Sequence, residues 1–301
     1  MQVLLIGGDG FVGRHLAREL DERGHDVTSL SRDPDPSVLP AGVDTVSGDV
    51  TEQASIEPAC AGMDAVVNLV ALSPLFIPDG GEEMHEVIHL GGTENVVAAA
   101  EAAGVDRIVQ LSALGADSRG ATHYIRAKGR AEEVVRNSDL EWVIFRPSVV
   151  FGEGGEFVGF TKRLKKLFAP GLPLYPLPGG GKKTRFQPVW VGDLVSMIAD
   201  GVADDDRAGE TYAVGGPAVL TLREITELVY ESEGKSISIV PLPMGLAGIG
   251  LKTLSVLPGF PMGGDQYRSL NIDNVVESND TAAFGLDTED LTTLQSYLGV
   301  A

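Results

Sequence analysis

The chain has 301 residues, 43% of them hydrophobic, which is enough to fill one large α/β domain or a large domain with a smaller companion. Its 43 acidic residues against 23 basic ones give a formal net charge of −20, a surface that repels nucleic acid; with only eight lysines it fits either a protein kept soluble in concentrated salt or an ordinary acidic cytosolic protein. Cys60 is the only cysteine, which excludes an intrachain disulfide, and no cluster of residues reads as a metal site.

The opening MQVLLIGG lacks a basic n-region and a cleavage site, so it reads as the first strand of a mature cytoplasmic protein. Taken in chain order, the pattern predicts a strand over 3–6, a glycine turn, and a helix over 11–23 with Val12, Leu16, Ala17 and Leu20 on one face. Gly24 ends that helix, and a strand over 26–30, a Pro-rich loop and a short strand near 45–46 follow. Further along come a strand over 64–72, a helix over 82–103, a strand over 106–112, a helix over 122–137 and a strand in EWVIFRPSVVFG. This β-α alternation with near-continuous apolar strands predicts an α/β Rossmann fold with a doubly wound parallel sheet.

Beyond Gly152 the texture changes to glycine, proline and lysine, which suggests a smaller, discontinuous C-terminal lobe. The expected division is a dinucleotide-binding domain from 1–152 and 186–214, and a small substrate or partner lobe from 153–185 and 215–301. The apolar stretch at 241–260 is broken too often by Gly and Pro to span a membrane.

Two motifs carry chemistry. Gly8, Gly10 and Gly13 satisfy GxGxxG, and Gly7, Gly10 and Gly13 satisfy GxxGxxG, both between a predicted strand and helix. That context calls for a tight turn, close approach of backbone to a pyrophosphate, and helix N-terminal amides facing the anion. Asp9 is out of place there unless its side chain avoids the phosphate. At the end of the second strand, where an acidic residue would take the ribose hydroxyls of NAD, stand Ser31 and Arg32. A serine beside a guanidinium suits a 2′-phosphate, so NADP(H) is the preferred cofactor and NAD(H) the alternative; Arg14 offers a second cation. In HYIRAK, Tyr124 and Lys128 are four residues apart, on one helix face. An ammonium beside the phenol favours its ionised form and suits acid/base work at a carbonyl.

With these motifs on the page, the sequence resembles the extended or atypical short-chain dehydrogenase/reductases. The resemblance runs through GGDGFVG, SGDV, VVNLVAL, GGTENVVAAAEAAGVDRIVQLSALGA, YIRAK, FRPSVVFG, FQPVWVGDL and LTLREITELV. Within that superfamily, FRPSVVFGEGGEF, PLPGGGKKTRFQPVWVGDLV and NVVESNDTAAFGL are most similar to the NADPH-binding accessory subunits of respiratory complex I and their prokaryotic relatives. The resemblance implies cofactor contacts at Gly7, Gly10, Phe11, Val12, Gly13, Ser31, Arg32, Asp49 (at adenine), Val50, Val70, Ala71, Lys128 and Arg146. It implies catalysis by Tyr124, Lys128 and a serine. Ser112 precedes Tyr124 by only 12 residues, an interval shorter than in nucleotide-sugar epimerases. Ala113 aligns equally well with the serine position, and Ser118 is a second candidate.

Three functions are open at this point: an oxidoreductase on a carbonyl or alcohol substrate of unknown identity; a catalytically silent NADPH-binding accessory or assembly factor of a respiratory complex; and a nucleotide-sugar epimerase or dehydratase. A last feature stands apart from the resemblance. Lys162, Arg163, Lys165, Lys166, Lys182, Lys183 and Arg185 place seven of the 23 cations in one segment, and Phe157, Phe160, Leu164, Leu167 and Phe168 recur at helical spacing. That pattern expects either an anionic partner, such as the inner face of a membrane or a respiratory complex, or a packed helix with solvated lysines.

Overall fold

The computed structural model describes residues 1–169, 171, 174–243, 245 and 262–300. The chain divides into two compact units. The first comprises Met1–Leu72, Asp79–Pro147 and Val191–Ala213, and the second Ser73–Pro78, Ser148–Trp190 and Val214–Ala301.

The first unit is built on a seven-stranded sheet. Its strands are β1 (Gln2–Ile6), β2 (Asp26–Ser31), β3 (Asp44–Ser47), β4 (Ala65–Asn68), β5 (Arg107–Leu111), β6 (Glu141–Pro147) and, after two short strands of the second unit and others given below, β11 (Glu210–Val214). The order across the sheet is β11-β6-β5-β4-β1-β2-β3. β1 pairs in parallel with both β2 and β4, so that Ile6 lies beside Leu30 on one side and Asn68 on the other. Val3, Leu4, Leu5 and Ile6 are all fully buried. An apolar run of this kind, with no polar alternation, is stable only where helices cover both faces of a parallel sheet. The strand order reverses at β1, and in open α/β sheets the carboxyl ends of the strands at such a reversal form the ligand crevice.

Helix α1 (Phe11–Glu22) buries Gly13, Leu16, Ala17 and Leu20. Helix α2 (Gln53–Cys60) follows β3, with Pro58 inside it and Ile56 and Cys60 buried. A π-helical segment, Glu86–Gly91, runs directly into α3 (Gly92–Ala103), which Gly104 ends in the left-handed conformation at φ 71°. Helix α4 (His123–Arg136) starts where the Thr122 hydroxyl accepts from the Ile125 amide at 3.2 Å. Helix α6 (Val191–Ala203) is mostly apolar and buried along its length. Among the described residues no helix is long and apolar enough to cross a membrane.

The second unit holds three two-stranded pairings. β7 (Val150–Phe151) pairs with β10 (Val189–Trp190), β8 (Leu174–Pro178) with β13 (Ser238–Leu242), and β9 (Arg185–Phe186) with β12 (Leu220–Thr221). Helices α5 (Glu156–Phe168) and α7 (Leu222–Glu231) supply its apolar core, with α7 started by a capping box of Thr221 and Glu224. Phe160, Leu164, Tyr175, Leu177, Leu222 and Tyr230 form one buried cluster, and Phe151, Phe157, Ile225 and Leu294 another. Asn274 ties the tail to this unit: its Oδ1 accepts from the Ser148 hydroxyl at 2.6 Å and the Val149 amide at 2.9 Å. Residues 246–261, most of the expected apolar stretch at 241–260, lie outside the described residues.

Candidate functional site

The loop between β1 and α1 shows why glycine is needed. Gly7 sits at φ +85°, a conformation that other residues adopt only with strain. A Cβ on Gly13 would lie 2.3 Å from the Gly7 carbonyl oxygen and 2.6 Å from Gly8 Cα, and one on Gly8 would lie 2.5 Å from Ser29 Oγ. The helix start is therefore pressed onto the turn, closer than any side chain permits. The turn is closed by the Gly7 amide on the Leu30 carbonyl (2.8 Å) and the Gly10 amide on the Gly7 carbonyl (3.2 Å). At the N-cap, Gly10 has no side chain to accept from the first amides of α1, and no acidic residue occupies the first turn. Those unsatisfied N–H groups and the positive end of the helix make a cradle for an anion, and the dinucleotide pyrophosphate fits it.

Around this cradle, Phe11 and Val12 are half-buried on the first turn of α1, with the Phe11 ring edge-on to His15 at 5.9 Å. Val70, just past β4, has its Cγ2 3.3 Å from where a Cβ of Gly7 would be, and Ala71 beside it is exposed. At the end of β2, Ser31 is half-buried and donates its hydroxyl proton to Asp9 Oδ2 at 2.7 Å, while Arg32 is exposed. Asp49, beyond β3, accepts from the amide and hydroxyl of Thr51 at 2.9 and 2.8 Å. The Thr51 amide, with smaller help from the Thr51 hydroxyl and Arg32, holds its carboxyl below the usual range. Val50 is buried under α3, its carbonyl accepting from Asn95 Nδ2 at 2.7 Å.

The second group of residues is carried by α4. Tyr124 and Lys128 sit one turn apart, with Lys128 almost completely buried at 1% exposure and its Nζ donating to the Leu111 carbonyl at 2.9 Å. Burial pulls the lysine pKa down to about 8, against a smaller opposing pull from Glu132. The sequence leads one to expect that Lys128 depresses the Tyr124 phenol. The structure reverses this: Tyr124 is packed among rings, with His85 and His89 at 5.5 and 5.2 Å between centroids, and burial pushes its pKa upward.

Three of these neighbours escape a reading of the sequence. His85 and His89 come from the π-helical segment and its leading edge, a widened turn of the kind often found at functional sites. His89 Nε2 accepts from the Leu72 amide at 2.8 Å, and burial, with Lys128 and His85 adding, holds it well below the usual histidine pKa. The third is Glu132, at 0% exposure. It receives the Ser112 hydroxyl proton and is bridged by Arg146 at 2.5 Å and Arg136 at 2.9 Å. Arg146 also donates to the Ala116 carbonyl at 3.3 Å, so Ser112 and Arg146 meet on one buried carboxylate. The only sign of Glu132 in the sequence is its place four residues beyond Lys128, on the same helix face. Ser118 lies half-buried in the loop between β5 and α4, where its amide is 2.4 Å from where a Cβ of Gly129 would be.

A doubly wound sheet with a glycine-lined phosphate cradle at its reversal point defines a Rossmann-type dinucleotide-binding protein. The chain belongs to the NAD(P)H-binding family, whose model matches residues 7–166. It is 29% identical over 256 residues to the mitochondrial NADH dehydrogenase [ubiquinone] 1 alpha subcomplex subunit 9 of Arabidopsis thaliana, covering 81% of this chain and 60% of that one. It is 35% identical over 141 residues to a 2-alkyl-3-oxoalkanoate reductase of Stenotrophomonas maltophilia, covering 47% and 41% of the two chains. Its fold matches the Thermus thermophilus UDP-glucose 4-epimerase in complex with NAD at a TM-score of 0.70 and 22% identity, over 99% and 96% of the two chains. The resemblance to the extended short-chain dehydrogenase/reductases read from the sequence agrees with this family and with the shared fold. The matched region spans about 60% of the length of the respiratory-chain relative.

Proposed function

We propose that this protein is an NADP(H)-preferring oxidoreductase that interconverts a carbonyl and an alcohol. The observation that carries this reading is the intact pair of Tyr124 and Lys128 on one face of α4, in the same compact unit as the glycine cradle. A nicotinamide dinucleotide held in that cradle supplies or takes up the hydride. Tyr124 gives its phenolic proton to the carbonyl oxygen and recovers it from solvent; in the alcohol direction it takes the proton away. Lys128, charged below about pH 8, stabilises the phenolate left behind and, in this reading, donates to a ribose hydroxyl. Ser112 has its proton committed to Glu132, so in this reading it serves as an acceptor that orients the substrate. At the other end of the cofactor, Ser31 and Arg32 favour a 2′-phosphate.

The competing reading is a silent NADPH-binding accessory factor of a respiratory complex. The similarity to the subunit 9 relative and the upward shift of the Tyr124 phenol favour it. The cations of 162–185 would then supply the contact, because the apolar residues Phe157, Phe160 and Leu164 of α5 are already buried within the second unit. Among these cations, Lys162 is bridged to Glu233, Arg185 to Asp273 at 2.6 Å, and Arg163 lies over the Phe76 ring at 5.7 Å.

One experiment separates the readings: cofactor titration and turnover of wild type, Arg32→Ala and Tyr124→Phe on a panel of aldehydes and ketones. Losing a charge-assisted phosphate contact costs roughly 1.5 to 3 kcal/mol, about ten- to a hundredfold in affinity, so Arg32→Ala should weaken NADPH by that factor and leave NADH unchanged. Tyr124→Phe should keep both affinities and lose turnover. Full activity in Tyr124→Phe would sink the catalytic assignment and favour the accessory role.

A further inference from the structure

The sequence left Asp9 without a part to play, and the structure gives it one. A carboxylate inside a phosphate-binding glycine loop is unfavourable unless it is directed elsewhere, and Asp9 is directed at the end of β2. Ser31 Oγ donates to its Oδ2 at 2.7 Å, and among the described residues this is its only hydrogen bond. The loop has little freedom to carry it away, because the Gly7 amide is fixed to Leu30 and the Gly10 amide to Gly7. Asp9 is half-buried and its second carboxylate oxygen, Oδ1, takes no hydrogen bond among the described residues, while the next residue along from Ser31, Arg32, is exposed and joins no salt bridge among the described residues.

Two opposite chemistries therefore meet at the place assigned above to the adenosine ribose. Arg32 attracts a phosphate. Asp9 can only accept hydrogen bonds, so it suits a ribose diol and repels a phosphate. It also claims the single proton of Ser31, which leaves that hydroxyl without a donor for a 2′-phosphate unless the bond to Asp9 breaks. We propose that Asp9 is a cofactor-selecting residue that opposes Arg32: its carboxylate takes the adenosine ribose hydroxyls, keeps NAD(H) competitive, and holds the NADP(H) preference of this chain to a modest ratio. This rests on the reading that Ser31 and Arg32 face the adenosine ribose. A purely structural role, in which Asp9 only staples the loop to β2, would be served equally by any acceptor at that position.

Asp9→Asn separates the two, because the amide oxygen still accepts from Ser31 while the charge is gone. The full-length chain would be titrated with NADH and NADPH separately, following cofactor fluorescence, alongside Asp9→Ser and Arg32→Ala, with thermal melts to confirm folding. The expected result is tighter NADPH and weaker NADH binding in both Asp9 variants, moving the affinity ratio at least tenfold toward NADPH. An unchanged ratio in both variants, with Arg32→Ala weakening NADPH alone, overturns the role of Asp9 and leaves the reading of β2 standing. If Arg32→Ala weakens both cofactors equally, or wild type binds neither, the reading of β2 fails and takes the proposal with it. Equal loss of both cofactors in the Asp9 variants identifies a loop staple and also overturns the proposal.

Discussion

Lys128 shows how much a single residue can carry that no pattern reveals. Its spacing from Tyr124 is plain in YIRAK, but the spacing says nothing about burial, and burial decides its charge. The ammonium is almost wholly out of water and its pKa falls from 10.5 to about 8. Above about pH 8 the folded chain releases a proton that the unfolded chain keeps up to about pH 10.5, so the unfolded state binds more protons across that window and stability rises with pH there. Below about pH 8 both states are protonated and the full cost of the buried charge is present. A shift of this size corresponds to about 3 kcal/mol. Urea unfolding of wild type and Lys128→Met at pH 7.5 and 10.5 should therefore show wild type gaining up to that amount relative to the variant; a constant difference between them would contradict a neutralised lysine. Glu132 and His89 were hidden for the same reason. A glutamate on a helix and a histidine in an apolar stretch read as ordinary surface and core residues until Ser112, Arg146 and Tyr124 are brought against them.

At the scale of elements, the strands and helices that follow one clear period were legible, and those that break period were not. β1, α1, β2, β5 and α4 lie where apolar periodicity and punctuating glycines put them. α2 was not foreseen, because Pro58 sits inside it and only Ile56 and Cys60 are buried, too few to mark a face. β4 stops at Asn68 although the apolar run continues to Leu72, since beyond Leu69 the chain leaves the ladder and the Leu72 amide turns to His89 instead. The single helix expected over 82–103 is a π-helical segment joined to α3, and a widened turn leaves no mark in hydrophobic spacing. The glycine loop was the most legible element, because its requirement is geometric. Gly13→Ala tests that requirement. The added methyl meets backbone atoms that cannot step aside, so α1 must move off the turn, an overpacking cost of roughly 1 to 3 kcal/mol. The displaced amides should lower the affinity for NADH and NADPH by the same factor, unlike the phosphate-selective loss in Arg32→Ala. Unimpaired binding of both cofactors by a folded Gly13→Ala protein would show that the close approach is not needed for the cradle.

For the whole molecule the dominant fact is charge. A net −20 is spread thinly in an unfolded chain and concentrated in a folded one, so self-repulsion opposes folding wherever it is unscreened. The described ion pairs answer this in part, and some of them, such as Arg23 with Asp200 and Arg185 with Asp273, join distant parts of the sequence. Several join residues three or four apart on one helix, such as Arg23 with Glu19 and Arg223 with Glu227, and exposed pairs of this kind contribute little. Seven of the cations are gathered in 162–185, which leaves the remaining sequence still more acidic than the average. Screening should then outweigh any loss of ion pairing. Raising salt from 0.1 to 1 M shortens the screening length from about 10 Å to about 3 Å, so interactions between exposed charges farther apart than that are largely screened. The melting temperature should therefore climb steadily with KCl over that range. A sucrose series matched for osmotic strength should give a smaller rise, since a neutral solute strengthens burial without screening charge. A melting temperature that stays level or falls in KCl would mean that the acidic surface is already compensated in the fold, and that its composition serves solubility alone.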